Sequence, residues 1–219
     1  PPVYINWIAP LFNKFTRLEA GELRDEIEKY ASAMANRCSE LVEISQGRAF
    51  ILFTSYALMH QVFDRLKCLS DKWPLLKQGE IPTGQMIRRF KETPSIIFGT
   101  NSFWQGVDVP GDALKNVIIT KLPFDVPTEP LTEARIEDLR RRSIDPFSHY
   151  QIPRAIIQMK QGFGRLIRKQ SDTGVISILD SRIVRRGYGA QFLDSLPSCK
   201  VVKELSQVKD FLSEVEANV

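Results

Sequence analysis

The stretch QGFGRLIRKQ, Gln161 to Gln170, sets two arginines three positions apart and spaces two glycines through an apolar run. On a helix, at roughly 100° per residue, Arg154, Gln158, Gln161, Arg165 and Arg168 fall within one arc of about 80°. Ile156, Met159, Phe163, Leu166 and Ile167 fall on the opposite side. A guanidinium is always charged and its planar fork matches phosphate oxygens, so two of them one turn apart can reach a triphosphate presented from outside. There they would stabilise charge that develops during phosphoryl transfer. Gly162 and Gly164 flank that face. Glycine inside a helix costs ~1 kcal/mol relative to alanine, which suits close approach of another backbone or a ligand. The alternative is an exposed face that carries surface ion pairs, and spacing alone leaves both readings open.

The usual means of holding a nucleotide are absent. None of the twelve glycines is followed by lysine, so there is no G-x-x-x-x-G-K-[ST] phosphate loop. The only Asp-Glu dipeptide, Asp25-Glu26, falls in an amphipathic stretch rather than at the end of an apolar strand where it could hold magnesium. Cys38, Cys68 and Cys199 lack the spacing of a zinc site, an iron–sulfur cluster or a redox pair and read as free thiols. His60 and His149 have no ligand-like neighbours.

The elements that must position these residues alternate along the chain. Leu18 to Ile44 has apolar residues at helical spacing (Leu23, Ile27, Tyr30, Met34, Cys38, Leu41) and stops at Gly47. RAFILFTS then reads as a buried strand, followed by a helical pattern from Tyr56 to Leu69. A helix near Gly84 to Lys91, a strand SIIFGT, a Gly- and Pro-rich loop, a strand NVIIT and a charged helix from Pro130 to Arg142 follow. Pro153 opens the 153–169 helix, and GVISILD is a further buried strand. Strands alternating with helices predict an α/β fold with a parallel sheet covered on both faces. Residues 1–46 are expected to be a leading segment and long helix of the same domain that residues 47–219 complete. In such sheets the loops at the carboxyl ends of the strands form the binding edge: here Thr54–Tyr56, Gly99–Gly111, Lys121–Phe124 and Asp180–Arg182.

At 219 residues and 43% hydrophobic content the chain can bury a sizeable core. Its apolar runs are far short of the ~20 residues that span a bilayer, so neither a membrane partner nor a signal peptide is expected. The opening PPVYINW lacks Met, and the chain is expected to be cut from a longer one. The net charge of +4 is unevenly spread: twelve Lys/Arg stand against six Asp/Glu between Leu131 and Arg186, which leaves the rest at −2. Such a surplus is either a solvated face or a meeting place for phosphates. Ser55, Tyr56, Thr100, Asn101, Ser102 and Trp104 offer hydroxyls, amides and rings of the kind that hold single-stranded DNA. Core packing is the other reading for Phe103 and Trp104, and turn or helix capping for Ser55 and Asn101.

Four motifs in order then carry a resemblance over most of Gly47 to Pro197. Q-x-x-G-R-x-x-R, here Gln161, Gly164, Arg165 and Arg168, resembles the last helicase motif of superfamily 2, and KQGFGRLIR resembles its DinG/XPD branch. NSFWQGVDVPGDALKNVIITKLPF, FTSY from Phe53 to Tyr56, and ILDSRI followed by Tyr188-Gly189 match the same branch, closer to bacterial DinG than to XPD. Two departures stand out: Gln105 where relatives usually have Glu, and Ser181 where proline is common.

The resemblance implies a second, C-terminal RecA-like domain, a P-loop NTPase-like fold that lacks the P-loop. It implies an ATP-dependent DNA helicase whose first RecA-like domain, outside this chain, holds ATP and Mg2+. Arg165 and Arg168 would be arginine fingers and Gln161 a γ-phosphate contact. Gly106 and Asp108 would couple nucleotide to DNA, with Asp180 and Arg182 supporting that cleft beside Gly164. Movement 5′ to 3′ on single-stranded DNA, a role in DNA repair and a cytoplasmic location follow from the family, as does an iron–sulfur cluster or an exonuclease domain elsewhere in a parent protein. A nucleic-acid-binding or protein-docking module without catalysis is the alternative. A dinucleotide-binding enzyme is weaker, because no G-x-G-x-x-G follows a predicted strand.

Overall fold

The structure, a computed structural model, describes residues 3–7, 20–100, 103, 113–166 and 173–217, with the side chains of 3–7, 20–23 and 165 excepted. Seven strands form one sheet: β1 (Val3–Trp7), β2 (Ala49–Leu52), β3 (Leu75–Lys77), β4 (Ile96–Gly99), β5 (Asn116–Ile119), β6 (Gly174–Ile178) and β7 (Lys200–Val202). Their order is β3-β4-β2-β5-β6-β1-β7, and every pairing is parallel. The eight helices among the described residues are α1 (Ala20–Ile44), α2 (Tyr56–Arg65), α3 (Thr83–Glu92), α4 (Pro130–Arg141), α5 (Ile152–Leu166), α6 (Arg182–Arg185), α7 (Gly189–Asp194) and α8 (Leu205–Ala217).

The central strands are buried along their whole length, which is why AFIL, IIFG, NVII and GVISI read as continuous apolar runs rather than as alternating ones. Their side chains nevertheless divide between two cores. Phe50 and Leu52 point to the layer that holds Met86 and Phe90 of α3, Met159 and Phe163 of α5, and Phe192 of α7. Ala49 and Ile51 point to the layer of α1 and α2, with Met34, Cys38, Leu58 and Met59. Helix α8 covers Val175 and Val202 with Val208, Phe211 and Leu212. Burial of this many apolar side chains, at roughly 25 cal/mol per Å², is the dominant force that holds helices on both faces.

The sequence-based elements agree closely. Helix α1 ends three residues before Gly47, which with Gln46 (φ +72° and +50°) supplies the left-handed turn that stops it. The pattern from Tyr56 to Leu69 is α2 followed by a 3-10 turn, Lys67–Asp71. A π turn, Phe147–Gln151, runs directly into α5, so Pro153 lies in the first turn of α5 but does not open the helix. Not foreseen are β1, β3, β7 and α8. Strands of three residues such as β3 and β7 are too short to show a period. Strand β1 sits between β6 and β7, so the leading segment is part of the sheet.

Because all strands are parallel, their carboxyl ends share one edge. Helix α5 runs from that edge to the other. Arg154, in its first turn, bonds to Asp125 beyond the end of β5, while Leu166 lies against Gly174 at the start of β6, where an added Cβ would meet its Cδ1 at 2.6 Å.

Candidate functional site

At the carboxyl edge, β2 leads into α2 through Thr54 and Ser55. Ser55 has extended backbone (φ −148°, ψ 146°), and its hydroxyl oxygen accepts the Leu58 N–H at 3.4 Å, so it caps α2 while its own proton is left to donate. Tyr56 is 52% exposed, with its ring stacked beside His60 at 6.5 Å. Thr100 departs from its expected place as an outward hydroxyl. It is buried, and both its N–H and its Oγ1 donate to Oε1 of Gln78, at 2.7 and 3.2 Å. It therefore holds the loop after β4 in place, while the amide nitrogen of Gln78, Nε2, donates to the Tyr56 hydroxyl at 3.1 Å. Gln78 escapes a reading of the sequence; its one signal is a polar residue ahead of Gly79, whose φ is +95°. Phe103 takes the core alternative: it is buried against Phe50, centroids 5.9 Å apart.

The ends of β5 and β6 form a second cluster on the same edge. The Thr120 hydroxyl donates to the Leu52 carbonyl at 2.9 Å and ties β5 to β2. Asp180 is buried and accepts the Leu122 N–H at 2.8 Å, the Arg182 N–H at 3.0 Å and the Arg182 side chain from Nη2 at 2.6 Å. Burial opposes its charged form, but the bonds and charge of Arg182, with the Leu122 amide, outweigh that and hold its carboxyl below the usual carboxylate range. The Arg182 guanidinium lies 5.2 Å from the centre of the Phe124 ring, and Phe124 packs with Phe147, Tyr188 and Phe192. Lys121 stands over the Tyr30 ring at 5.1 Å, its pKa lowered by burial and by the Arg182 charge. Gly189 allows this packing, since a Cβ there would meet the Ile183 carbonyl oxygen at 2.0 Å.

Among the described residues no group of three or more His, Cys, Asp or Glu side chains could hold a metal ion. Asp180, the buried acid of the edge, has its oxygens taken by Leu122 and Arg182, so the described residues offer no carboxylate set for Mg2+.

Helix α5 buries Ala155, Met159, Phe163 and Leu166 on the sheet. Its polar face is less uniform than the helical arc implies. Arg154 is committed to Asp125 at 2.6 Å and lies over the Tyr150 ring, and Gln158 is buried. Gln161 is exposed. Arg165 follows one turn later in the helix, but its side chain, and all of Asn101, Ser102, Trp104, Gln105, Gly106, Asp108 and Arg168, lie outside the described residues. A Cβ on Gly164 would meet nothing within 4 Å, so the chain's own described packing does not require glycine there.

The structure also separates residues that the family resemblance groups around one nucleotide cleft. Gly164 and Arg165 lie next to Leu166, at the start of β6, whereas Asp180 and Arg182 lie past its end. A five-residue strand at about 3.3 Å per residue puts them roughly 15 Å apart along the sheet. Asp180 and Arg182 belong with the carboxyl-edge loops.

Comparison with known proteins gives one family and one fold. The chain matches the family described as the helicase C-terminal domain over residues 38–199. It is 49% identical over 173 residues to the ATP-dependent DNA helicase YoaA of Haemophilus influenzae, covering 78% of this chain and 27% of that protein. It is 41% identical over 196 residues to the ATP-dependent DNA helicase DinG of Photobacterium profundum, covering 86% of this chain and 28% of that protein. It therefore spans about a quarter of the length of the curated relatives it matches. A solved structure of apo XPD superposes with a TM-score of 0.68 at 16% identity, over 93% of this chain and 40% of the XPD chain, a likeness of fold.

Proposed function

This chain belongs to the helicase C-terminal domain family, of the DinG/XPD type within superfamily 2, and from that premise we propose that it is the second RecA-like motor domain of an ATP-dependent DNA helicase. ATP and its Mg2+ are bound mainly by a first RecA-like domain of the same protein. Arg165 and Arg168 reach across to the triphosphate, and Gln161 contacts the γ-phosphate beside Gly164. The observation that supports this is the different character of the two ends of the sheet. The amino end presents the last two turns of α5, where Gln161 is exposed and Gly164 leaves open space. The carboxyl end presents hydroxyl and aromatic groups on loops tied to one another by Gln78 and Asp180.

Phosphoryl transfer needs charge stabilisation and positioning more than covalent chemistry from the protein, and guanidinium groups brought in from a neighbouring domain supply both. Single-stranded DNA then lies along the carboxyl edge, on Ser55, Tyr56, Asn101, Ser102 and Trp104, with Gly106 and Asp108 coupling it to the nucleotide. Asp180 and Arg182 shape the loop from Leu122 to Phe124. Closing and opening of the two domains on ATP turnover moves the strand 5′ to 3′, in a bacterial cytoplasm where the substrate is chromosomal DNA.

In the full-length protein, Arg165→Ala should lower DNA-stimulated ATPase by at least about 10³-fold, the scale of a lost arginine finger. Nucleotide binding, followed by fluorescence of a labelled ATP analogue, should change little. ATPase at the wild-type rate in that variant would overturn the assignment and favour a docking module that kept the fold without the catalysis.

A further inference from the structure

Gln78 lies at the end of β3, outside every motif, yet it joins two loops of the carboxyl edge. Its carboxamide can be oriented without ambiguity. The Thr100 backbone N–H, 2.7 Å away, can only donate, so the atom that faces it is the oxygen. That oxygen also takes the Thr100 hydroxyl proton at 3.2 Å. The amide nitrogen therefore faces Tyr56 at 3.1 Å, and since an NH2 group only donates, the Tyr56 hydroxyl oxygen must accept from it. A phenol that accepts from one side keeps its own proton for the other. Tyr56 is 52% exposed, so that proton is left to donate at the edge where the loops after β2 and β4 meet.

We propose that Gln78 is a positioning residue for single-stranded DNA: it fixes the Tyr56 ring and sets the polarity of its hydroxyl, so that Tyr56 donates a hydrogen bond to a phosphate oxygen of the strand. The proposal rests on the reading of this edge as the DNA side. Phosphate accepts and never donates at neutral pH, so a hydroxyl already polarised to donate outward suits it and a free rotor suits it less. Through the same carboxamide, Thr100 transmits any shift of the loop after β4 to Tyr56, which links two segments of the DNA-facing edge.

The test is binding of the full-length protein to a fluorescent oligo-dT, with and without substitutions. Tyr56→Phe, on an exposed side chain that leaves folding intact, should weaken binding about tenfold, the scale of one charge-assisted hydrogen bond. The slope of log affinity against log salt should not change, because no cation is lost. Gln78→Glu presents a carboxylate that accepts the Tyr56 proton and turns it inward, and should also weaken binding about tenfold. Gln78→Met removes the anchor without turning the hydroxyl and should cost less, about threefold. In the Tyr56→Phe background both Gln78 substitutions should have almost no further effect. Unchanged binding by Tyr56→Phe, or equal losses from the Gln78 substitutions in both backgrounds, would overturn the proposal alone. A wild-type protein that fails to bind oligo-dT would overturn the DNA-side reading with it.

Discussion

Asp180 carries its charge in a buried position because every neighbour argues for it: two backbone amides and one guanidinium point at its oxygens. Removing the charge by Asp180→Asn leaves Arg182 without its partner and turns an amide donor toward other donors. The expected loss is about 2 kcal/mol, less than for a fully enclosed pair, because the Arg182 side chain is 39% exposed and partly screened. The sign with pH follows from the lowered folded pKa of Asp180. Its contribution is complete above the unfolded aspartate value of about 3.9 and is lost as pH falls through the lower folded value. The stability gap between wild type and Asp180→Asn, read by urea melts, should therefore be widest near neutrality and should shrink toward about pH 3. A gap independent of pH would mean that the carboxylate is not what holds the loop.

At the scale of elements, the helices α5 and α7 make opposite demands on glycine. At Gly189 the opening of α7 lies so close to α6 that a Cβ would fall 2.0 Å from the Ile183 carbonyl oxygen, a backbone atom that cannot swing aside. Gly189→Ala should destabilise the chain by about 2 kcal/mol. At Gly164 the same substitution meets nothing within 4 Å and gains helix propensity, so it should leave stability unchanged or raise it by up to ~1 kcal/mol. Thermal melts of the two variants should move in opposite directions. Equal destabilisation would show that α5 is under a constraint that its described packing does not reveal.

At the scale of the molecule, the described residues form a sheet whose two ends are connected by α5, its first turn tied to the carboxyl edge by Arg154 and Asp125 and its last turn reaching the amino edge. Under the proposed function, that layout suits a domain that couples two ligands without holding either one alone. The chain by itself should show no ATPase above background, with or without oligo-dT, in a phosphate-release assay. Turnover that co-purifies with the isolated chain and disappears in Arg165→Ala would mean that the nucleotide site is complete within it. Among the described residues no helix is long and apolar enough to cross a membrane.

What the sequence determined by itself was local and periodic. The apolar runs AFIL, IIFG, NVII and GVISI specify buried parallel strands because both faces are covered. Met159, Phe163 and Leu166 mark the buried stripe of α5 because a helix repeats every 3.6 residues. Four motifs in order, the string from Gln161 to Arg168 among them, indicated the family. Only the tertiary structure decided which polar residues act together. Gln78 and Thr100 are 22 positions apart, and Asp180 and Leu122 are 58 apart, separations that no local pattern spans. Asp180 and Gly164 are closer in the chain, 16 positions apart, yet a strand between them sends them to opposite edges. Direction across a sheet is a property of the topology, so although the loops of the carboxyl edge could be expected from the strand pattern, the placing of Gly164 at the opposite edge from Asp180 waited on the fold.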